Sequence, residues 1–427
     1  MLYDIGFLIF SIIYLPTLLF KGKLHGDFLE RFGIYEKCKR DSLSSGEERI
    51  WIQAVSVGEV SLCRALIPLL KGKFPDKEIV LSTITRTGND LAKKIFSGEA
   101  VVIYFPLDFS FIVKKVVSLI RPGLYIMVET EIWPNMIKEA SDNKIPSILI
   151  NGRISDKSFG MYRLAKLFLK DILTKIDKFC MQSEIDAERI ISLGAPSGRV
   201  GVTGSMKFDI EAAGDAESAQ KMRESLGLKA DAQLLVAGST HNGEEDIVIE
   251  VFKNLLREFP GLNLLIAPRH IERAGEVEQV VRKFGFESIR TSAVNPKPKT
   301  QNPKQIFILD TIGQLKDVYA IATLVFMGGS LVKHGGQNPI EPAVSEKAIL
   351  FGPYMFNFKD IASIFLKNGA AIQVMNKKDL LEKAKSLLKD SAARIQLGQN
   401  AKRTVSENRG ATERNLDAAV HLFVDDR

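Results

Sequence analysis

Short apolar runs alternate with longer amphipathic stretches along almost the whole chain, and that rhythm leaves few folds open. Ile50 to Val55, Glu78 to Ser82, Val101 to Tyr104, Leu124 to Val128, Ser147 to Ile150, Lys178 to Met181 and Arg199 to Val202 read as strands. The stretch reaching Leu70, then Gly88 to Phe96 and Met161 to Leu173, read as helices. Strands separated by helices predict a parallel sheet covered on both faces. From Asp209 to Gln220 the chain is soft, rich in alanine, glycine and acids, and reads as a hinge. The rhythm then restarts, with strands at Leu234 to Gly238, Asn263 to Ala267, Ile306 to Leu309, Leu324 to Met327 and Ala348 to Phe351. Helices are expected at Glu244 to Phe259, Glu272 to Phe284, Lys378 to Leu388 and Ser391 to Val405, and Ser292 to Lys304 reads as a mobile basic loop. The chain's 427 residues suit two domains. The expectation is α/β: two Rossmann-like doubly wound domains facing a cleft, with ligands at the carboxyl ends of the strands.

The amino terminus breaks the rhythm. From Ile5 to Phe20 no residue is charged, and Lys21, Lys23, Arg31, Lys37, Lys39 and Arg40 follow. A secretory signal carries its positive charge ahead of the apolar run, and here it lies behind. As a helix the run spans about 24 Å, short of the ~30 Å hydrocarbon core unless Met1 to Tyr3 join it. The reading is an uncleaved anchor over residues 1–22, spanning or lying in the bilayer, with the body on the cytoplasmic face of a bacterial inner membrane. The domains that follow are drawn at 23–207 and 208–427.

Composition excludes several classes. Hydrophobic residues make up 45% and charged residues 26%, as in a globular protein rather than a disordered one. The net charge of +7 is too thinly spread to argue for nucleic acid, and suits an anionic membrane surface or a phosphorylated substrate. Cys38, Cys63 and Cys180 are isolated and odd in number, which fits a reducing compartment.

The residues suited to chemistry stand just beyond strand ends. Glu59, in Ser56-Val57-Gly58-Glu59, can take a proton from a hydroxyl or serve as a first-turn helix acid. Glu129 and Glu131 follow the strand Leu124 to Val128, and their spacing puts both on one side if the chain stays extended. Arg86 opens a helix after Thr83-Ile84-Thr85 and can meet an anion, and Lys207 lies at the hinge, within reach of a departing phosphate. In the second half, Gly328-Gly329-Ser330 begins a glycine-rich turn that closes on Asn338-Pro339-Ile340-Glu341. Such a turn between strand and helix exposes backbone N–H groups to a phosphate, while Asn338 and Glu341 can grip sugar hydroxyls. That combination points to a nucleotide-sugar donor. Arg269, after Pro268, can meet a phosphate or a base, and Thr311-Ile312-Gly313 ends another strand. No Asp-x-Asp, dinucleotide glycine fingerprint or Walker loop is present, and the five histidines lack zinc spacing.

Taken in order, Val55 to Glu59, Glu129 to Asn135, Gly204 to Asp209, Ser239 to Glu245, Pro268 to His270, Gly328 to Glu341 and Asn357 to Asp360 resemble the 3-deoxy-D-manno-octulosonic acid (Kdo) transferases of lipopolysaccharide assembly. The resemblance implies a GT-B glycosyltransferase that moves Kdo from CMP-Kdo to the lipid A precursor with inversion and without a metal cofactor. It implies Glu59 as general base, with Glu129 or Glu131 and Lys207 stabilising the transition state. It assigns CMP binding to Pro268, Arg269, Thr311, Ile312, Gly313, Asn338, Pro339, Ile340 and Glu341. Asn242 stands where relatives often carry glutamate, and little effect is expected. The alternatives are a GT-B enzyme using a UDP-sugar on another membrane lipid, and a non-catalytic nucleotide- or lipid-binding tether.

Overall fold

A computed structural model describes residues 3–9, 26–44, 48–209, 216–293 and 305–425. The chain divides into two compact units, Met1–Asp209 with Arg409–Arg427, and Ile210–Asn408. The first holds strands β1 (Arg49–Gln53), β2 (Ile79–Thr83), β3 (Val101–Tyr104), β4 (Pro122–Val128), β5 (Ser147–Gly152), β6 (Lys178–Met181) and β7 (Val200–Val202). They form one parallel sheet in the order β3-β2-β1-β4-β5-β6-β7. The second holds β8 (Leu234–Thr240), β9 (Asn263–Pro268), β10 (Glu287–Arg290), β11 (Gln305–Ile308), β12 (Leu324–Met327), β13 (Ala348–Phe351) and β14 (Ile372–Gln373), parallel in the order β10-β11-β9-β8-β12-β13-β14.

The uninterrupted apolar runs arise because both faces of each sheet are covered. In the first sheet Ile50, Ile52, Leu124, Ile126 and Val128 enter one core, while Trp51, Tyr125 and Met127 enter the other. Period-two alternation sends neighbours to opposite faces, so a strand buried on both has no polar gaps. Strand order reverses direction between β1 and β4 in the first sheet and between β8 and β12 in the second. At such a switch point the connections diverge to opposite faces, opening a crevice beyond the carboxyl ends.

The terminal helix Ala411–Asp425 covers the first sheet, although the sequence reading carried the second domain to 427. Ala411, Leu416, Ala419 and Phe423 fill one of that sheet's cores, and Phe423 meets Phe74 edge-on at 5.0 Å. Asp209 caps this helix, accepting from Gly410 N (2.7 Å), Thr412 N (2.6 Å) and Thr412 Oγ1 (2.6 Å). The single helix expected over Met161 to Leu173 is two, Asp156–Leu164 and Lys166–Leu173, meeting at Ala165. Of the expected anchor, residues 3–9 are helical and 10–22 lie outside the described residues, as do 294–304 of the basic loop. Among the described residues no helix is long and apolar enough to cross a membrane.

Candidate active site

In the first unit the switch point gathers three carboxylates and a lysine. After β1 the chain stays extended at Ser56 and turns into the helix Val57–Lys73, placing Glu59 in its first turn. The side chain folds back over the turn before the helix: Ser56 Oγ donates to Glu59 Oε1 at 2.9 Å, and Val55 N donates to Oε2. Glu59 is only 7% exposed. Burial, then the charges of Glu129 and Glu131, push its carboxyl up to about 7, against the pull of the Val55 and Ser56 bonds.

Glu129 and Glu131 follow β4. The expectation that they share one side fails, because Glu129 adopts a left-handed backbone (φ 63°) and the chain turns there. That conformation is costly for a side chain bearing a Cβ. It is held by Glu129 N donating to Ile150 O (2.9 Å) and Glu131 N donating to Glu129 O (3.1 Å). The two acids therefore take different partners. Lys207 Nζ lies 3.5 Å from Glu129 Oε1, and Trp133 Nε1 donates to Glu131 Oε2 at 3.2 Å. Burial, and to a lesser degree Glu129, push Glu131 up to about 7 despite the indole bond. Lys207 is delivered by the short turn Met206–Asp209, whose Met206 N donates to Asn151 Oδ1 at 2.9 Å. Arg86 begins the helix Arg86–Ile95 and pairs with Asp90 at 3.8 Å. Its turn is tied to that of Glu59, since Thr85 N donates to Val55 O at 3.1 Å.

In the second unit the β8 and β12 ends meet with no room for side chains: a Cβ on Gly328 would stand 2.4 Å from Ser239 O. Here the structure differs from the expectation of amides open to a phosphate. Glu244, 0% exposed in the first turn of the helix Glu244–Leu255, accepts from Gly329 N (2.6 Å), Ser330 N (3.0 Å), Leu331 N (3.0 Å) and His241 N (3.0 Å). A protein carboxylate already fills the anion nest. The Ser330 hydroxyl is also engaged, donating to Met327 O and accepting from Gly352 N at 2.7 Å. Sequence reading missed the role of Glu244, since an acid in a first helical turn reads as a partner of the helix dipole.

The groups left facing outward lie around this locked turn. Arg269 follows buried Pro268 and is exposed. Glu341 is pushed up by burial and pulled down by Arg269 and by its hydrogen bond to Asn338, so the three stand together. Asn338 Oδ1 also accepts from Ile340 N at 3.2 Å, and Pro339 and Ile340 are buried beneath. Thr311 bonds Gln314, Gly313 has φ 91°, and between them Ile312 is 84% exposed. His241 stacks on His334 at 4.2 Å and meets His270 edge-on at 6.3 Å, with Gln337 Nε2 at 3.2 Å from its Nε2. Burial, then His334, His270, Arg273 and Arg269, hold His241 down at about 4, so it is neutral near pH 7. Among the described residues no group of three His, Cys, Asp or Glu is placed to hold a metal ion. Arginine, histidine and amide groups beside a rigid strand-end turn suit an anionic ligand.

Comparison with known proteins identifies the family. The family model for 3-deoxy-D-manno-octulosonic-acid transferase (kdotransferase) matches residues 26–210. The 3-deoxy-D-manno-octulosonic acid transferase of Haemophilus influenzae is 34% identical over 390 residues, covering 91% of this chain and 89% of that protein. The enzyme of that name from Chlamydophila psittaci is 32% identical over 406 residues, covering 93% and 91%. Among solved structures, a glycosyltransferase from Rickettsia africae aligns with 89% of this chain and 100% of its own, at TM-score 0.59 and 13% identity. That likeness concerns the fold, which is GT-B. With the carboxylates at one switch point and the relatives spanning nearly the whole chain, the protein belongs to the Kdo transferase family of glycosyltransferases.

Proposed function

We propose that the enzyme transfers Kdo from CMP-Kdo to the phosphorylated lipid A precursor, inverting the anomeric centre, at the cytoplasmic face of a bacterial inner membrane. The observation that carries the reading is the cluster of Glu59, Glu129, Glu131 and Lys207 at the β1/β4 switch point. Glu59, held near 7, accepts the proton of an acceptor sugar hydroxyl as that oxygen bonds to the Kdo anomeric carbon. The bond to CMP breaks on the opposite face and its electron pair leaves with the phosphate. A carboxylate with a pKa near the working pH is partly ionised yet basic enough to take the proton.

Lys207 compensates Glu129, keeping a fixed charge pair beside the reacting centre. The donor falls to the second unit: Arg269 meets the phosphate, Asn338 and Glu341 meet sugar hydroxyls, and Ile312 offers an apolar face to the base. Thr311, Gly313, Pro268, Pro339 and Ile340 frame these groups, and Glu244 fixes the turn that carries Gly329 and Ser330. Fixed cationic side chains answer the phosphate charge, so the reaction is expected to need no metal. The apolar run to Phe20 and the lysines and arginines after it support a seat on an anionic membrane.

The test incubates purified protein with CMP-Kdo and tetraacylated lipid A precursor, beside a Glu59→Ala variant, and weighs the products. A Kdo-sized mass gain that the variant loses supports both reaction and base. No gain from folded wild-type protein refutes the assignment.

A further inference from the structure

Two energetic costs meet in one residue at the end of β5. Asn151 adopts a left-handed backbone (φ 53°), a conformation that every residue with a Cβ resists and asparagine resists least. The strand slips register at the same place. Leu149 pairs with Phe179 and Gly152 with Met181, so Ile150 and Asn151 together stand against Cys180. Asn151 is also 0% exposed, and among the described residues its Nδ2 has no hydrogen-bond partner. A buried amide nitrogen left unanswered is a penalty that an apolar side chain, continuing the run Ile148-Leu149-Ile150, would avoid. An extra residue in a strand re-aims a side chain out of the period-two pattern, and strain of this kind persists where the aim is used.

The aim is at the turn that carries Lys207. Asn151 Oδ1 accepts from Met206 N at 2.9 Å, one residue before the lysine. One position earlier in β5, Ile150 O accepts from Glu129 N, also at 2.9 Å. Consecutive residues of one strand therefore fix both turns whose side chains form the Glu129–Lys207 pair. Just beyond them, Arg153 N donates to Thr130 Oγ1 at 2.9 Å and ties the Glu129 turn a second time. Asn151 is itself locked from two sides. Its N donates to Asn415 Oδ1 (3.3 Å) in the helix Ala411–Asp425, and its carbonyl accepts from Gln182 Nε2 (2.9 Å). Buried Asn415 also accepts from Thr203 Oγ1 (3.3 Å) and donates to Ala411 O (2.7 Å), so its orientation is fixed in turn.

We propose that Asn151 is the positioning residue for Lys207: its side-chain oxygen, aimed by the extra residue in β5 and locked by Asn415, holds the turn Met206–Asp209 so that the lysine stands against Glu129. The inference rests on the transferase reading, in which Lys207 acts on the transition state. Without this acceptor the chain before the turn keeps its bonds from Thr203 N and Gly204 N to Met181 O. It loses the bond nearest the lysine, and the ion pair loosens.

Asn151→Gly separates the two roles of the residue, because glycine accepts the left-handed backbone and removes only the side-chain oxygen. In the full chain it should lower kcat about tenfold or more, with donor and acceptor KM within about twofold of wild type. In a Lys207→Ala background the same substitution should change kcat by less than about twofold, since no lysine is left to place. Equal losses in both backgrounds would make Asn151 merely structural and overturn the proposal. If Asn151→Gly does not fold, Asn415→Ala reads the same route from the terminal helix, and a loss of kcat that persists without Lys207 overturns it equally. A measurement independent of transfer is acylation of Lys207 by an N-hydroxysuccinimide ester, followed by peptide mass spectrometry against exposed Lys221. Lys207, whose side chain is 25% exposed in the pair, should react several-fold faster in Asn151→Gly, and an unchanged rate overturns the proposal. If labelling rises as expected while wild-type protein transfers no Kdo, the transferase reading falls and the placement of Lys207 by Asn151 stands.

Discussion

Replacing Glu59 by glutamine should make the enzyme more stable as it makes it inactive. The folded carboxyl stands at about 7 and its ordinary value is 4.5. Between those values the folded protein keeps a proton that the unfolded chain has released, so stability falls as pH rises through that window and levels off above it. At about 1.4 kcal/mol per pH unit, ionised Glu59 costs the fold about 3 kcal/mol at pH 8. Glutamine keeps the shape but gives up part of the hydrogen bonding to Val55 N and the Ser56 hydroxyl, a loss of about 1 kcal/mol. The net gain is about 2 kcal/mol at pH 8, vanishing or reversing at pH 4.5. Urea unfolding followed by tryptophan fluorescence is well placed to see it, because Trp51 and Trp133 are the chain's two tryptophans and both lie in the first unit. A variant no more stable than wild type at pH 8, or equally favoured at both pH values, would refute the view that burial and like charge strain this carboxylate.

The other expectations concern the same groups. The rate kcat/KM should rise with pH and level off above about 7 as Glu59 ionises, and a pH-independent profile would remove it as base. Lys207→Ala should lower kcat by about 10²-fold or more with a smaller change in KM, because the pair with Glu129 acts on the transition state; a pure KM effect would argue for substrate binding instead. Glu244→Gln leaves about two of four amides unanswered, so the second unit should lose about 2–4 kcal/mol and the donor KM should rise; unchanged calorimetric unfolding and KM would count against its positioning role. Excess EDTA should leave the transfer rate unaltered, and a loss restored by a divalent ion would overturn the metal-free scheme.

What the sequence made legible depended on how locally each feature was encoded. Doubly buried strands appear as unbroken apolar runs, so the β1 and β4 ends, and with them Glu59, Glu129 and Glu131, could be marked before any coordinates. Lys207 was marked differently, by its place at the hinge between the two halves. Features set by distant contacts were not readable. Glu244 meets Gly329 across 85 positions of sequence, and nothing near it announces that its carboxylate fills the nest of another turn. The left-handed backbone at Glu129 depends on Ile150 O and Glu131 N, so the sharing of partners between Lys207 and Trp133 could not be foreseen. The break at Ala165 escaped notice because the apolar pattern continues through it. The terminal helix was assigned to the wrong unit because an amphipathic stripe says that a sheet is covered, not which one.

The last of these has a bearing on biosynthesis. The chain leaves the first unit at Asp209 and returns to it at Arg409. While the ribosome makes everything between, the first sheet waits with the seat of Leu416, Ala419 and Phe423 unfilled and the carboxylate of Asp209 without Gly410 and Thr412. The first unit, begun first, is thus finished last. A nascent chain stalled anywhere in the second unit would display an open apolar flank, the kind of surface that chaperones hold and proteases find.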